Sequence, residues 1–143
     1  MNMSRLSILI LLMAISISSC AGTKSDDRGQ AKKDTIMQMK QLGAMKPKEA
    51  LEYMLHTPDL VIIDTREPQY IDKQFNGCLS IPYTQMAERY KEIPEGRPVM
   101  LHCGLGWVAP KAYKTLVEKN PKIKELSYID GAPLFDEYNK NKK

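Results

Sequence analysis

"PVMLHCGLGWVA", residues 98–109, is the stretch on which the fold turns. Pro98 to Leu101 form an apolar run of the kind that suits a strand covered on both faces. The run ends at His102 and Cys103, and glycines follow at 104 and 106. A helical period then begins, with Ala109, Ala112, Tyr113, Leu116 and Val117 spaced by three and four. Pro110 falls in the first turn, where its missing N–H costs nothing, and Asn120-Pro121 closes the segment. A strand, a glycine turn and a helix in this order put Cys103 beside free backbone N–H groups and the positive end of a helix dipole, which favours a thiolate. Gly104 and Gly106 let the backbone curl around a large sulfur anion. The plain alternative is a small, inert, buried thiol at a strand end.

Outward from this stretch, apolar periods alternate between the two types. Pro47, Ala50, Leu51, Met54 and Leu55 share one helical face, with Pro47 in a first-turn position. "LVIID" (60–64) reads as a second buried strand. "CLSI" (78–81) is a short one stopped by Pro82, residues 83–91 are helical, "ELSYID" (125–130) is the last strand, and "PLFDEYN" closes the chain as a helix after a turn at Gly131. The alternation predicts a single α/β domain, a mainly parallel central sheet flanked by helices on both faces. Ligands of such sheets collect at the carboxyl ends of the strands. That rim receives Asp64, Arg66 and Glu67 from "VIIDTRE" as well as Cys103. Asp64 and Arg66 are expected to pair with each other or to cap nearby backbone. Trp107 either packs on its own loop or meets substrate, and Lys111 is either a solvated first-turn side chain or a substrate contact.

"IIDTREPQY", "NGCLSIP", "PVMLHCGLG" and "YIDGAPLF" together, in this order and spacing, resemble the rhodanese-like domain over about residues 45–140. The resemblance implies that Cys103 is the persulfide-forming cysteine, that the loop Gly104, Leu105, Gly106, Trp107, Val108 and Ala109 binds substrate, and that Asp64 and Arg66 form the first rim motif. It also implies an enzyme that moves sulfane sulfur through a Cys103 persulfide to a thiol or cyanide acceptor, with no cofactor. Two departures stand out. Val108 occupies the position where many active members place an arginine, and Gln74 stands where the family often has a histidine. Without that arginine a thiosulfate dianion is left with backbone dipoles and Lys111. Leu105 and Trp107 make the loop apolar, which suits a neutral or thiol-borne persulfide, or a protein partner. The related phosphatases and arsenate reductases carry an arginine six residues after the cysteine, where this chain has Ala109, so phosphoryl transfer lacks its main charge stabiliser. The remaining readings are a rhodanese-fold binding module that no longer turns over, and a redox sensor in which Cys103 is oxidised.

The 143 residues, 43% of them hydrophobic, suffice for one core. Arg5 followed by the apolar segment 6–17 forms an export signal over residues 1–19, too short for a stable membrane span. "ISSC", Ile17 to Cys20, resembles the bacterial lipobox, in which the Cys is lipidated; the alternative is an ordinary secretory signal cleaved nearby. Residues 20–35 then form the lipidated Cys and a polar, flexible linker, and 36–143 the folded domain. These features imply an exported lipoprotein, anchored to a membrane on the periplasmic side or at the cell surface. The formal charge of +4 comes from scattered lysines and the terminal "NKNKK", with no basic stripe interleaved with aromatics, so nucleic acid is not an expected partner. A Cys78–Cys103 disulfide is not expected, because one residue begins a strand and the other ends one. Two histidines, no paired spacing and no C-x-x-C give no pattern for a metal. His102 is expected to be a hydrogen-bonded core residue, and His56 to sit at a helix end.

Overall fold

A computed structural model describes residues 38–119 and 121–142. The export segment, Cys20 and the linker lie outside the described residues. Within them, no helix is long and apolar enough to cross a membrane.

Five strands form one parallel sheet: β1 (Lys40–Met45), β2 (Val61–Asp64), β3 (Leu79–Ser80), β4 (Pro98–His102) and β5 (Glu125–Ile129), in the order β1-β5-β4-β2-β3. Every residue of β2 and β4 is buried, as expected of uninterrupted apolar runs at the centre of a doubly covered sheet. Among the described residues the four α-helices are α1 (Pro47–His56), α2 (Met86–Arg89, with a 3-10 turn on either side), α3 (Ala109–Lys119) and α4 (Phe135–Asn141). The period-2 pleat of β2 and β4 sorts the core into two halves. Ile63, Val99, Leu101 and Leu126 meet Met86, Ala112 and Leu116 of α2 and α3. Ile62, Met100 and Ile129 meet Ala50, Met54, Phe75 and Tyr138 on the side of α1 and α4.

Strand β1 has no counterpart in the sequence reading. Gly43, at φ +77°, sits where the β1–β5 register shifts, and this bulge breaks the alternation by which a strand would be recognised. The register sets the site: Asp64 lies beside His102 across the central β2–β4 pair, so Cys103 leaves the sheet level with the residues that follow Asp64. Thr65 locks this corner, its N–H and hydroxyl both donating to the His102 carbonyl, at 2.9 and 2.8 Å.

Candidate active site

Cys103 is buried, and its Sγ accepts the Gly106 N–H at 3.1 Å. The two loop glycines differ. Gly106 has φ +85°, and a Cβ there would fall 2.7 Å from the Gly131 N, so the loop closes only with glycine. Gly104 has no such φ, and a Cβ would meet nothing nearer than Arg66 Cδ at 3.9 Å. Of the pair expected to shape the turn, only Gly106 is required by it.

Cys103 lines a pocket of about 880 Å³ together with Arg66, Tyr70 and Asp72, the rest of its loop to Val108 without Gly106, and Ala132, Pro133 and Phe135. Tyr70, Leu105 and Trp107 ring it, and they are the large apolar side chains left exposed among the described residues. At 78% exposure Trp107 does not pack on its own loop. Val108 is half-buried against the α2–α3 core, and Ala109 is buried in α3. Lys111 does not line the pocket; its Nζ lies 5.7 Å from the centre of the Tyr83 ring.

Asp64 and Arg66 pair with each other, one of the two arrangements expected of them. Burial alone would push the Asp64 carboxyl up, but hydrogen bonds from the Arg66 side chain and backbone, together with the electrostatic effect of the nearby His102 ring, hold it below the usual carboxylate value. Arg66 Nε and Nη2 reach its oxygens at 3.0 and 2.8 Å, and the Arg66 N–H adds a third bond. Nη1 donates to the Tyr70 carbonyl at 3.3 Å and to Asp72 at 2.9 Å, and Nη2 also meets the Lys73 carbonyl. The Gln74 amide joins Asp64 to the Ser80 hydroxyl, at 3.2 and 3.0 Å. The residue that departs from the family pattern therefore still serves the carboxylate.

Behind this corner two expectations fail. His102 is fully buried between Phe75 and Phe135, and neither ring nitrogen has a hydrogen-bond partner. Its Nε2 stays 3.9 Å from Asp64, and burial lowers its pKa to about 4 despite that charge. Cys78 is not at the far edge of the sheet either, because β3 is only two residues long and its start lies close to the rim. Both cysteines are free. What separates them is the pleat: Cys103 belongs to the α2–α3 half of the core and Cys78 packs on the α1–α4 half. Donor atoms of Asp64, Cys78 and His102 converge within 4.8 Å of one another, a grouping with no sequence spacing to announce it. The carboxylate in that group is already engaged by Arg66 and Gln74, which leaves it short of the four free ligands of a structural zinc centre.

Solved structures with this fold include a rhodanese-related protein from Thermoplasma volcanium (18% identity, 62% of this chain and 84% of that one, TM-score 0.50). A rhodanese homolog from the extreme thermophile Thermus thermophilus aligns at 17% identity over 62% of this chain and 94% of its own, TM-score 0.50. The reduced CoADR-RHD of Bacillus anthracis aligns at 26% identity over 63% of this chain but only 15% of its own, TM-score 0.50. No curated protein matches the chain in sequence. The family model of the rhodanese-like domain matches residues 47–132, from the first turn of α1 to the turn beyond β5 and so through both the Asp64–Arg66 corner and the Cys103 loop; the chain belongs to that family.

Proposed function

We propose that the protein is a sulfurtransferase or persulfide carrier working through Cys103. The observation that carries this reading is the Cys103 Sγ, held at the wall of an open pocket with the Gly106 N–H directed at it. A backbone donor stabilises a thiolate and equally the anionic outer sulfur of a persulfide. In the loading step the thiolate attacks the outer sulfur of a donor R–S–SH. The Cys103 S–S bond forms as the donor S–S bond breaks, and RS⁻ leaves with the electron pair. Loss of the terminal proton gives the bound persulfide anion. In the discharge step cyanide, or a thiolate R′S⁻, takes that outer sulfur and returns Cys103 as thiolate, releasing thiocyanate or R′SS⁻. The apolar ring of Tyr70, Leu105 and Trp107 favours a donor whose sulfur rides on an organic group, and Val108 offers no charge to a thiosulfate dianion.

The test is intact mass after incubation with thiosulfate, a glutathione-type persulfide or polysulfide, followed by cyanide. The expected result is a gain of one sulfur that is discharged by acceptor, lost in Cys103→Ser and retained in Cys78→Ser. No gain from any donor in folded, reduced protein would make the domain a binding module, and a one-oxygen gain under mild peroxide alone would make it a sensor.

The same proposal places the domain outside the cytoplasm, tethered by acyl chains on Cys20 of "ISSC". Wild-type protein should partition into detergent and begin at a modified Cys20, and Cys20→Ala should abolish both. An unlipidated mature chain starting downstream of Cys20 would overturn the tether.

A further inference from the structure

Arg66 is one of two charged residues lining the Cys103 pocket, and it is the cation nearest to hand for an anionic donor. A guanidinium has five N–H donors. In Arg66 they are directed to Asp64 from Nε and Nη2, to the Lys73 and Tyr70 carbonyls, and to Asp72. The acceptors for the first four are a buried carboxylate and backbone oxygens, which the fold fixes. The fifth is a side chain that is 83% exposed and also lines the pocket. Asp72 is thus the one partner of Arg66 that could be absent without undoing the corner.

We propose that Asp72 is a donor-specificity residue: by occupying the outward N–H of Arg66 and cancelling its charge, it turns small dianions such as thiosulfate away from Cys103 and leaves the pocket to organic persulfides. This rests on the persulfide reading above. With Arg66 matched by Asp72, the lining carries no net positive charge, and Asp64 behind it adds a further negative one. An approaching dianion finds no free cation and is turned away, whereas an alkyl hydropersulfide carries at most one negative charge and gains from Tyr70, Leu105 and Trp107. Asp72 keeps its charge because the Lys73 and Asp72 backbone N–H groups, and then Arg66, hold its carboxyl below the ordinary value. The effect is separate from that of Val108, which supplies no cation, since Asp72 silences one that is present.

Trp107, the only tryptophan of the chain, lines the pocket and reports its occupancy by fluorescence. In the full chain carrying Cys103→Ser, where no sulfur can transfer, thiosulfate is titrated with Asp72 intact, as Asp72→Ala and as Asp72→Asn. Affinity should rise about tenfold in Asp72→Ala, less in Asp72→Asn, and the gain should shrink as salt is added. With Cys103 restored, the ratio of loading rates from thiosulfate and from benzyl hydropersulfide should rise about tenfold in Asp72→Ala. Asp72→Asn keeps an acceptor oxygen for the Lys73 N–H, so it decides the matter if the alanine variant does not fold. Thiosulfate affinity within about twofold of the parent in the folded variants would overturn the proposal. If no donor loads Cys103 at all, the persulfide reading fails, and the titration still judges Asp72.

Discussion

Cys103 and Cys78 are two thiols near one rim of one sheet, and their surroundings are opposite. Cys103 directly follows the central strand β4, lines a pocket, and has a backbone N–H directed at its sulfur. Cys78 precedes the edge strand β3 on the other face, where burial first and the Asp64 charge second push its thiol pKa up. An apolar wall with a carboxylate favours the neutral thiol of Cys78, whereas the Cys103 sulfur has a backbone donor beside it. Residue type alone therefore says little about a thiol's chemistry. What matters is the face of the pleat it occupies and whether donors or acceptors wait there.

The comparison breaks most sharply at Gly106. Gly106→Ala forces a positive φ on a residue with Cβ and drives that carbon to 2.7 Å from the Gly131 N. Backbone strain and overpacking together should cost about 3 to 4 kcal/mol in urea unfolding. Whatever folds should lose the N–H contact to Cys103 and react more like Cys78 with an alkylating probe. Unchanged stability would mean that the loop has another closed form. Gly104→Ala is the matched control, at less than about 1 kcal/mol, because its φ is ordinary and its nearest neighbour is 3.9 Å away.

A smaller effect sharpens the other side. The folded pKa of His102, about 4, lies below the ordinary imidazole value of 6.5, because burial disfavours the cation. The unfolded chain then binds the extra proton first, so the contribution is fully present above pH 6.5 and is lost as pH falls from 6.5 toward 4. Between pH 7 and pH 5 the loss should be about 2 kcal/mol in denaturant unfolding. His102→Phe should flatten that slope, since neither ring nitrogen has a partner to forfeit and aromatic rings already surround the site. A slope unchanged in the variant would assign the titration to another group.

The sequence by itself determined the alternation of elements and the place of Cys103 at the turn that follows a buried strand. β2 and β4 are legible because their apolar runs need cover on both faces. α1 and α3 are legible because their small and apolar residues recur at three and four, and Cys103 because a glycine turn joins β4 to α3. These signals are local, carried by residues close together in the chain. Tertiary structure decided what depends on distant partners. It made β1 a strand despite the Gly43 bulge, since pairing with β5 supplies the hydrogen bonds its pattern does not announce. It made Gly106 indispensable and Gly104 not, through the approach of Gly131. It moved Cys78 up to Asp64 and His102, and left the His102 nitrogens without partners, because the β2–β4 register and the rings of Phe75 and Phe135 enclose that face. It also filled every donor of Arg66 with acceptors from residues 64 to 73, whose convergence on one guanidinium is set by how the chain turns after β2, a geometry that side-chain spacing does not encode.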